Sequence, residues 1–334
     1  MRFVVSSGVV LASALLADQA SAQIPRSWLG GAWTEAQRIE DQDGSLLGTP
    51  VLVARCGRVF VVVDQAGNRV VALNREGRAL WSVGRRGAGP GEFRSPSALS
   101  CDSENRVAIF DDANARITMI SDDGKLVGAV PTEQRTRQVA QSRINDAIGT
   151  VTWRSDELYS LIDGRGRRID SVAAPSWHRG LSLLAREQYL AALSDGGFVS
   201  VFRWSGRMVR TSASGAVLFD RLGIDGLPFP SARSYPTPGA GGGQMIRIDP
   251  SAVEAARAVV ELDGVLLVLH GGAGPTRGRV LDHFDSRSGT YLGSSRLAIE
   301  PLALAADGRE LLAIRLDPIP AIIRFRWVPG RRSP

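Results

Sequence analysis

Short apolar runs, each bounded by a polar turn, recur along the chain. Residues 59–63 (Val-Phe-Val-Val-Val) are continuously apolar, the pattern of a strand buried on both faces. The turn Asp64-Gln-Ala-Gly-Asn68 follows, then a run at 70–73, the turn Asn74-Arg-Glu-Gly77 and a run at 79–83. With the short run at 51–54 and the turn Arg55-Cys56-Gly57 in front, this reads as four antiparallel strands joined by tight turns. The unit is written twice. Residues 56–80 lie over 103–127 at a constant offset of 47 residues, so Asp64 matches Asp111, Arg69 matches Arg116 and Gly77 matches Gly124.

Weaker copies follow. Runs at 158–162 and 169–172 flank a turn ending at Gly166, and runs at 198–204, 208–211 and 217–219 surround one ending at Gly215. A fifth set occupies 265–269, 280–284 and 291–292, with its turn ending at Gly289. Runs at 302–306, 311–316 and 321–327 make three strands of a sixth unit that lacks its fourth. A strand at 33–39, ahead of the first unit, has no unit of its own. Joining the two closes a ring without exposed ends. The prediction is an all-β, six-bladed β-propeller of four-stranded antiparallel blades, closed by the N-terminal strand, as a single domain over residues 23–330. A β-sandwich is the competing architecture, but it needs no constant period. Residues 227–249 interrupt the period with an insertion rich in proline and glycine, which suits either a binding loop or a disordered one. Residues 251–260 carry the one helix-like pattern.

Between the first two units runs Gly84-x-x-Gly87-x-Gly89-Pro-Gly-Glu-Phe93-x-x-Pro96. This connector, with Asp111-x-x-Asn114, Arg116-Ile and the turn ending in Gly124, resembles the NHL-repeat family, and more broadly the TolB-like six-bladed propellers of secreted bacterial proteins. The resemblance is specific over about residues 56–130 and only patterned elsewhere. It implies that the connectors between blades and the turns between second and third strands share one face. Arg85, Arg86, Arg94, Asp64, Asn68, Asp111 and Asn114 then form a candidate ligand surface, with arginines suited to carboxylate or phosphate groups. The competing expectation is that the aspartates cap their own turns and that the arginines are solvated. In the insertion, Phe229, Arg233 and Tyr235 are further candidates for contact.

Composition adds a compartment and removes some chemistry. Met1-Arg2, the mostly apolar stretch 3–16 and Ala20-Ser21-Ala22 have the form of a signal peptide over residues 1–22, cleaved after Ala22. The expected location is periplasmic or extracellular, with no membrane span. The formal net charge is +6, but Lys125 is the only lysine, a bias better explained by a GC-rich genome than by a polyanionic partner. Nucleic acid is therefore not the favoured ligand, and NHL-type RNA binding stays a minor alternative. Cys56 and Cys101 fall at nearly corresponding places in the matched units; their spacing leaves a bridge open, with two buried thiols favoured.

Related propeller lyases hold zinc near the axis, and propeller lactonases hold calcium there. Here His178, His270 and His283 have no metal-ligand spacing, and the first strands carry Leu52, Leu99, Leu193 and Leu304. No metal or cofactor is expected, calcium or zinc being the ions that the enzyme alternative requires. The stretch 87–91 lacks a phosphate loop's Gly-Lys-Ser/Thr ending, and no Gly-x-Ser-x-Gly elbow occurs. The expected function is a monomeric binding or scaffold module for a protein, peptide or saccharide; the alternative is a metal-dependent lactonase or lyase.

Overall fold

The computed structural model describes residues 24–41, 46–133, 136, 138–142, 144–152, 156–236 and 244–330. The leader 1–22 and its cleavage position lie outside them. Six sheets of four antiparallel strands follow one another around a ring. The first blade runs Pro50–Cys56, Val59–Asp64, Arg69–Leu73 and Ala79–Val83, and the second runs Pro96–Cys101, Val107–Asp111, Arg116–Ile120 and Leu126–Pro131. In the third blade the strands Gln138–Gln141 and Ile148–Val151 precede the pair recognisable in the sequence. The sixth blade takes three strands from the C-terminal region and its outermost strand, Gly31–Glu40, from the N-terminal one. That strand pairs with Ala321–Pro329 from Gly31↔Pro329 to Glu40↔Ala321.

Each second strand is buried along its length, as in Val59–Asp64 and Val107–Asp111, because it lies between two strands and is covered by both neighbouring blades. Blade-to-blade packing explains the turn glycines. Gly77, Gly124, Gly166, Gly215 and Gly289 all have positive φ. Each also lies against the outer strand of the preceding blade, where a Cβ would meet Ile39, Trp81, Val130, Val172 and Phe219 in turn.

The repeated aspartates clamp connectors. Asp64 is buried and accepts from the Thr49 amide (2.9 Å) and from Arg69 Nε (2.8 Å). Asp111, also buried, accepts from the amide of Ser95 (2.8 Å) and from Asn114 Nδ2 (2.6 Å). In both blades the residue ending the second strand holds the chain as it enters the first, so the Asp and Arg matches are structural.

Two expectations change. Residues 251–260 contain no helix; Ala256–Leu262 is the first strand of the fifth blade. A register shift between Ala256 and Ala258 displaces the alternation by one, so that buried Ala256, Val259 and Val260 imitate helical spacing. The cysteines are bridged, with a Cα–Cα separation of 5.6 Å. Cys56 and Cys101 end the first strands of adjacent blades, and first strands converge on the axis, where neighbouring blades stand closest. Bridge formation across the 45-residue separation is expected to add about 3–4 kcal/mol. Denaturant unfolding of the Cys56→Ala/Cys101→Ala variant should show that loss, and reduction of the wild type should reproduce it.

Candidate functional site

Antiparallel order gives the ring two unlike faces. One carries the connectors between blades and the turns between second and third strands; the other carries the remaining hairpin turns. The central channel between them has a volume of about 410 Å³ and is walled by all six first strands. Leu99, Leu193 and Leu304 line it, as the apolar pattern suggests, whereas Val53 replaces Leu52 because the register shifts after Pro50. Arg55 and Glu261 are its charged groups, and Arg55 is paired with Asp307 (2.5 Å).

A cavity of about 770 Å³ opens on the hairpin face between the fifth and sixth blades. Its apolar wall joins Leu262, Val265 and Leu267 of the fifth blade to Trp33 and Trp327 of the sixth. The tryptophans meet edge to face at 5.3 Å. They are cross-strand partners, and the glycine at 31 leaves room for the Trp327 ring; a Cβ there would stand 2.5 Å from it. Trp33 Nε1 donates to Ser295 Oγ (2.8 Å), and that hydroxyl is 2.7 Å from His283 Nε2. His283 is buried beside both indoles, and desolvation pushes its pKa down to about 4 despite the nearby Asp282 charge.

The rim is charged. Glu310 is buried, with Arg326 Nη2 at 2.7 Å, Arg324 Nε at 2.7 Å and Arg75 at 3.7 Å. The Arg324 contact is an ion pair without hydrogen-bond geometry, since Arg324 Nε and Glu310 Oε2 are both left without a hydrogen bond. Asp307 Oδ2 is likewise buried and unpaired. This arrangement can enclose an apolar or aromatic group while charged groups orient polar atoms at its edge.

The residues singled out from the sequence do not assemble into one site. Arg85 is highly exposed and paired with Glu92 (2.7 Å), and Arg86 and Arg94 are exposed on the same connector. Asn68 sits in its turn at φ 47°, and Asn114 Nδ2 donates to the Gly87 carbonyl (2.9 Å). Phe229 is packed rather than presented, stacked on Trp177 at 5.6 Å. Arg233 and Tyr235 are exposed on a hairpin, Ala232–Pro236 with Gln244–Ile248, that forms a separate two-stranded sheet. This hairpin belongs to the connector between the fourth and fifth blades, three blades from Arg85. Sequence reasoning missed the tryptophan cleft, whose two indoles come from strands near opposite ends of the chain; Trp33 was visible only as part of a closing strand.

Among the described residues, Asp225, His270 and Asp282 are the group whose ligating atoms all lie within 4.8 Å of one another. Arg26 serves as their cation. Its guanidinium bonds both oxygens of Asp225 (2.9 and 2.7 Å) and both of Asp282 (3.0 and 3.0 Å). Burial raises the Asp225 carboxyl, but hydrogen bonds from His270 and Arg26 outweigh it and hold the pKa at about 2.

Residues 34–218 match the family described as outer membrane protein assembly factor BamB. The chain belongs to that family. NHL repeat-containing protein 3 of Homo sapiens is 34% identical to this BamB-family chain over 76 residues, 22% of each protein. The chain therefore matches only about a fifth of that relative's length. A protein of Bacteroides fragilis superposes with a TM-score of 0.58 at 12% identity, over 92% of this chain and 97% of its own. Virginiamycin B lyase of Staphylococcus aureus does so with 0.55 at 13% identity, over 87% and 99%. These two likenesses show the fold. No helix among the described residues is long and apolar enough to cross a membrane.

Two measurements check this electrostatic picture. Because the folded pKa of His283 lies below the unfolded value, its neutral form favours the fold above about pH 6.5. That contribution, roughly 3 kcal/mol, should be lost as pH falls from 6.5 towards 4. In urea titrations His283→Gln should flatten the slope over this window. Arg26→Ala leaves two carboxylates facing each other and should cost about 3 kcal/mol in the same assay.

Proposed function

We propose that this BamB-family chain is an exported binding module that holds a polypeptide partner in the cleft between the fifth and sixth blades. The cleft itself carries the reading. Its volume of about 770 Å³, paired tryptophans and charged rim suit an apolar side chain flanked by peptide groups. Three features support export: the leader pattern at 1–22, the cysteine bridge suited to an oxidising compartment, and the family's description as an outer membrane assembly factor. The chain supplies every strand of its own ring, so a monomer suffices as the working unit.

The test uses the chain beginning at Gln23. Peptides selected against it by display should carry an aromatic or aliphatic anchor, and Trp327→Ala should weaken them at least tenfold with little change in melting temperature. Arg326→Ala, at the exposed rim, should weaken them less. Peptide affinity indifferent to both substitutions would sink the assignment. Binding on a glycan array with none to peptides would replace the polypeptide with a saccharide. Cell fractionation should recover a periplasmic or secreted protein whose N-terminus is Gln23; a cytoplasmic protein with residues 1–22 attached would remove the export step.

A further inference from the structure

The connector face has a cavity of its own between the third and fourth blades, of about 430 Å³. Val151, Leu183 and Tyr189 form its apolar wall, and Arg186, Glu187 and Arg203 are its charged groups. The two arginines differ in their surroundings. Arg203 Nη1 donates to Glu187 (2.8 Å), its Nε donates to Glu254 (2.9 Å), and its guanidinium lies 4.9 Å from the Trp204 ring centroid. Its charge is satisfied twice. Arg186 has no carboxylate partner among the described residues. Its Nη2 donates to the Arg179 carbonyl (3.2 Å), Nε is buried without a partner, and burial lowers the guanidinium's pKa.

Arg186 is only partly buried, but its Nε–H is shielded from water with neither an acceptor nor, among the described residues, a counter-charge, which costs stability. A bound anion would supply that charge, and a guanidinium matches a planar carboxylate. Glu187 on the same wall disfavours a dianion such as a phosphate monoester. We propose that this cavity binds an apolar monocarboxylate, with the carboxylate on Arg186 and the chain against Val151, Leu183 and Tyr189. A free organic acid and the C-terminus of a peptide share this chemistry.

Calorimetry on the chain beginning at Gln23 separates them. The probes are 4-phenylbutyrate, acetyl-Gly-Ala-Leu with a free C-terminus, the same peptide amidated, and hexyl phosphate. At least one carboxylate probe should bind, and amidation or phosphate should cost tenfold or more. Preference for phenylbutyrate indicates an acid ligand; preference for the free peptide indicates a C-terminus. Arg186→Gln should abolish binding while melting as high as the unliganded wild type or higher, and Arg186→Lys should retain part of the affinity. Trp327→Ala should leave these values unchanged, which keeps this site independent of the cleft on the other face. Equal affinity for acid and amide, no binding of either carboxylate, or a lowered melting temperature in Arg186→Gln with binding intact would overturn the proposal.

Discussion

Nine residue pairs between Gly31–Glu40 and Ala321–Pro329 turn a row of blades into a ring, and both ends of the described chain depend on them. An open row would leave the third strand of the sixth blade as an unpaired edge, and its inner face without the cover that Trp33 provides. Closure also reaches the neighbouring blade. The segment ahead of the strand bonds to the outer edge of the fifth blade, Leu29 and Ser27 exchanging backbone hydrogen bonds with Ser294. Arg26 is inserted between Asp225 and Asp282. The N-terminal segment therefore fastens two blades while completing one. The same segment contributes Leu29 and Trp33 to the lining of the cleft between them.

Within the ring, one backbone position shows how a repeat is used and then altered. The residue ending the second strand pairs with the start of the first strand in the first five blades. It is Asp64 opposite Pro50, Asp111 opposite Pro96, and His270 opposite Ala256. In the first two blades the carboxylate gathers connector amides. In the fifth, His270 Nδ1 lies 3.1 Å from the Ala255 carbonyl and 3.1 Å from Asp225. A turn clamp has become part of an ion-pair cluster without any change in the strand ladder. The insertion ahead of the fifth blade, with its separate hairpin, hides this equivalence in the linear sequence.

Much of the architecture was legible because its causes are local. A run such as Val59–Asp64 can be buried only between two sheets, and a glycine ending each outer hairpin marks where the turn meets the preceding blade. The turn-capping reading of Asp64 and Asp111 needed only the chemistry of short carboxylates beside backbone amides. The strand at Ala256–Leu262 was hidden because a bulge resets a period-two pattern, and sequence periodicity cannot register a bulge. The bridge between Cys56 and Cys101 was undecidable because the separation of equivalent residues depends on their distance from the axis, which no spacing in the chain encodes.

Local pattern along the chain was enough to specify a six-unit all-β repeat, the need for its N-terminal strand to complete the last unit, and the residues that shape the turns. Tertiary structure decided where chemistry gathers. Trp33 meets Trp327, Arg26 meets Asp225 and Asp282, and Arg186 comes to rest beside a cavity with its Nε buried and unpaired. The division has one physical reason. Strand and turn preferences act over a few residues, whereas burial and ion pairing act through space. A closed ring brings together groups about 200 to 300 residues apart in the chain.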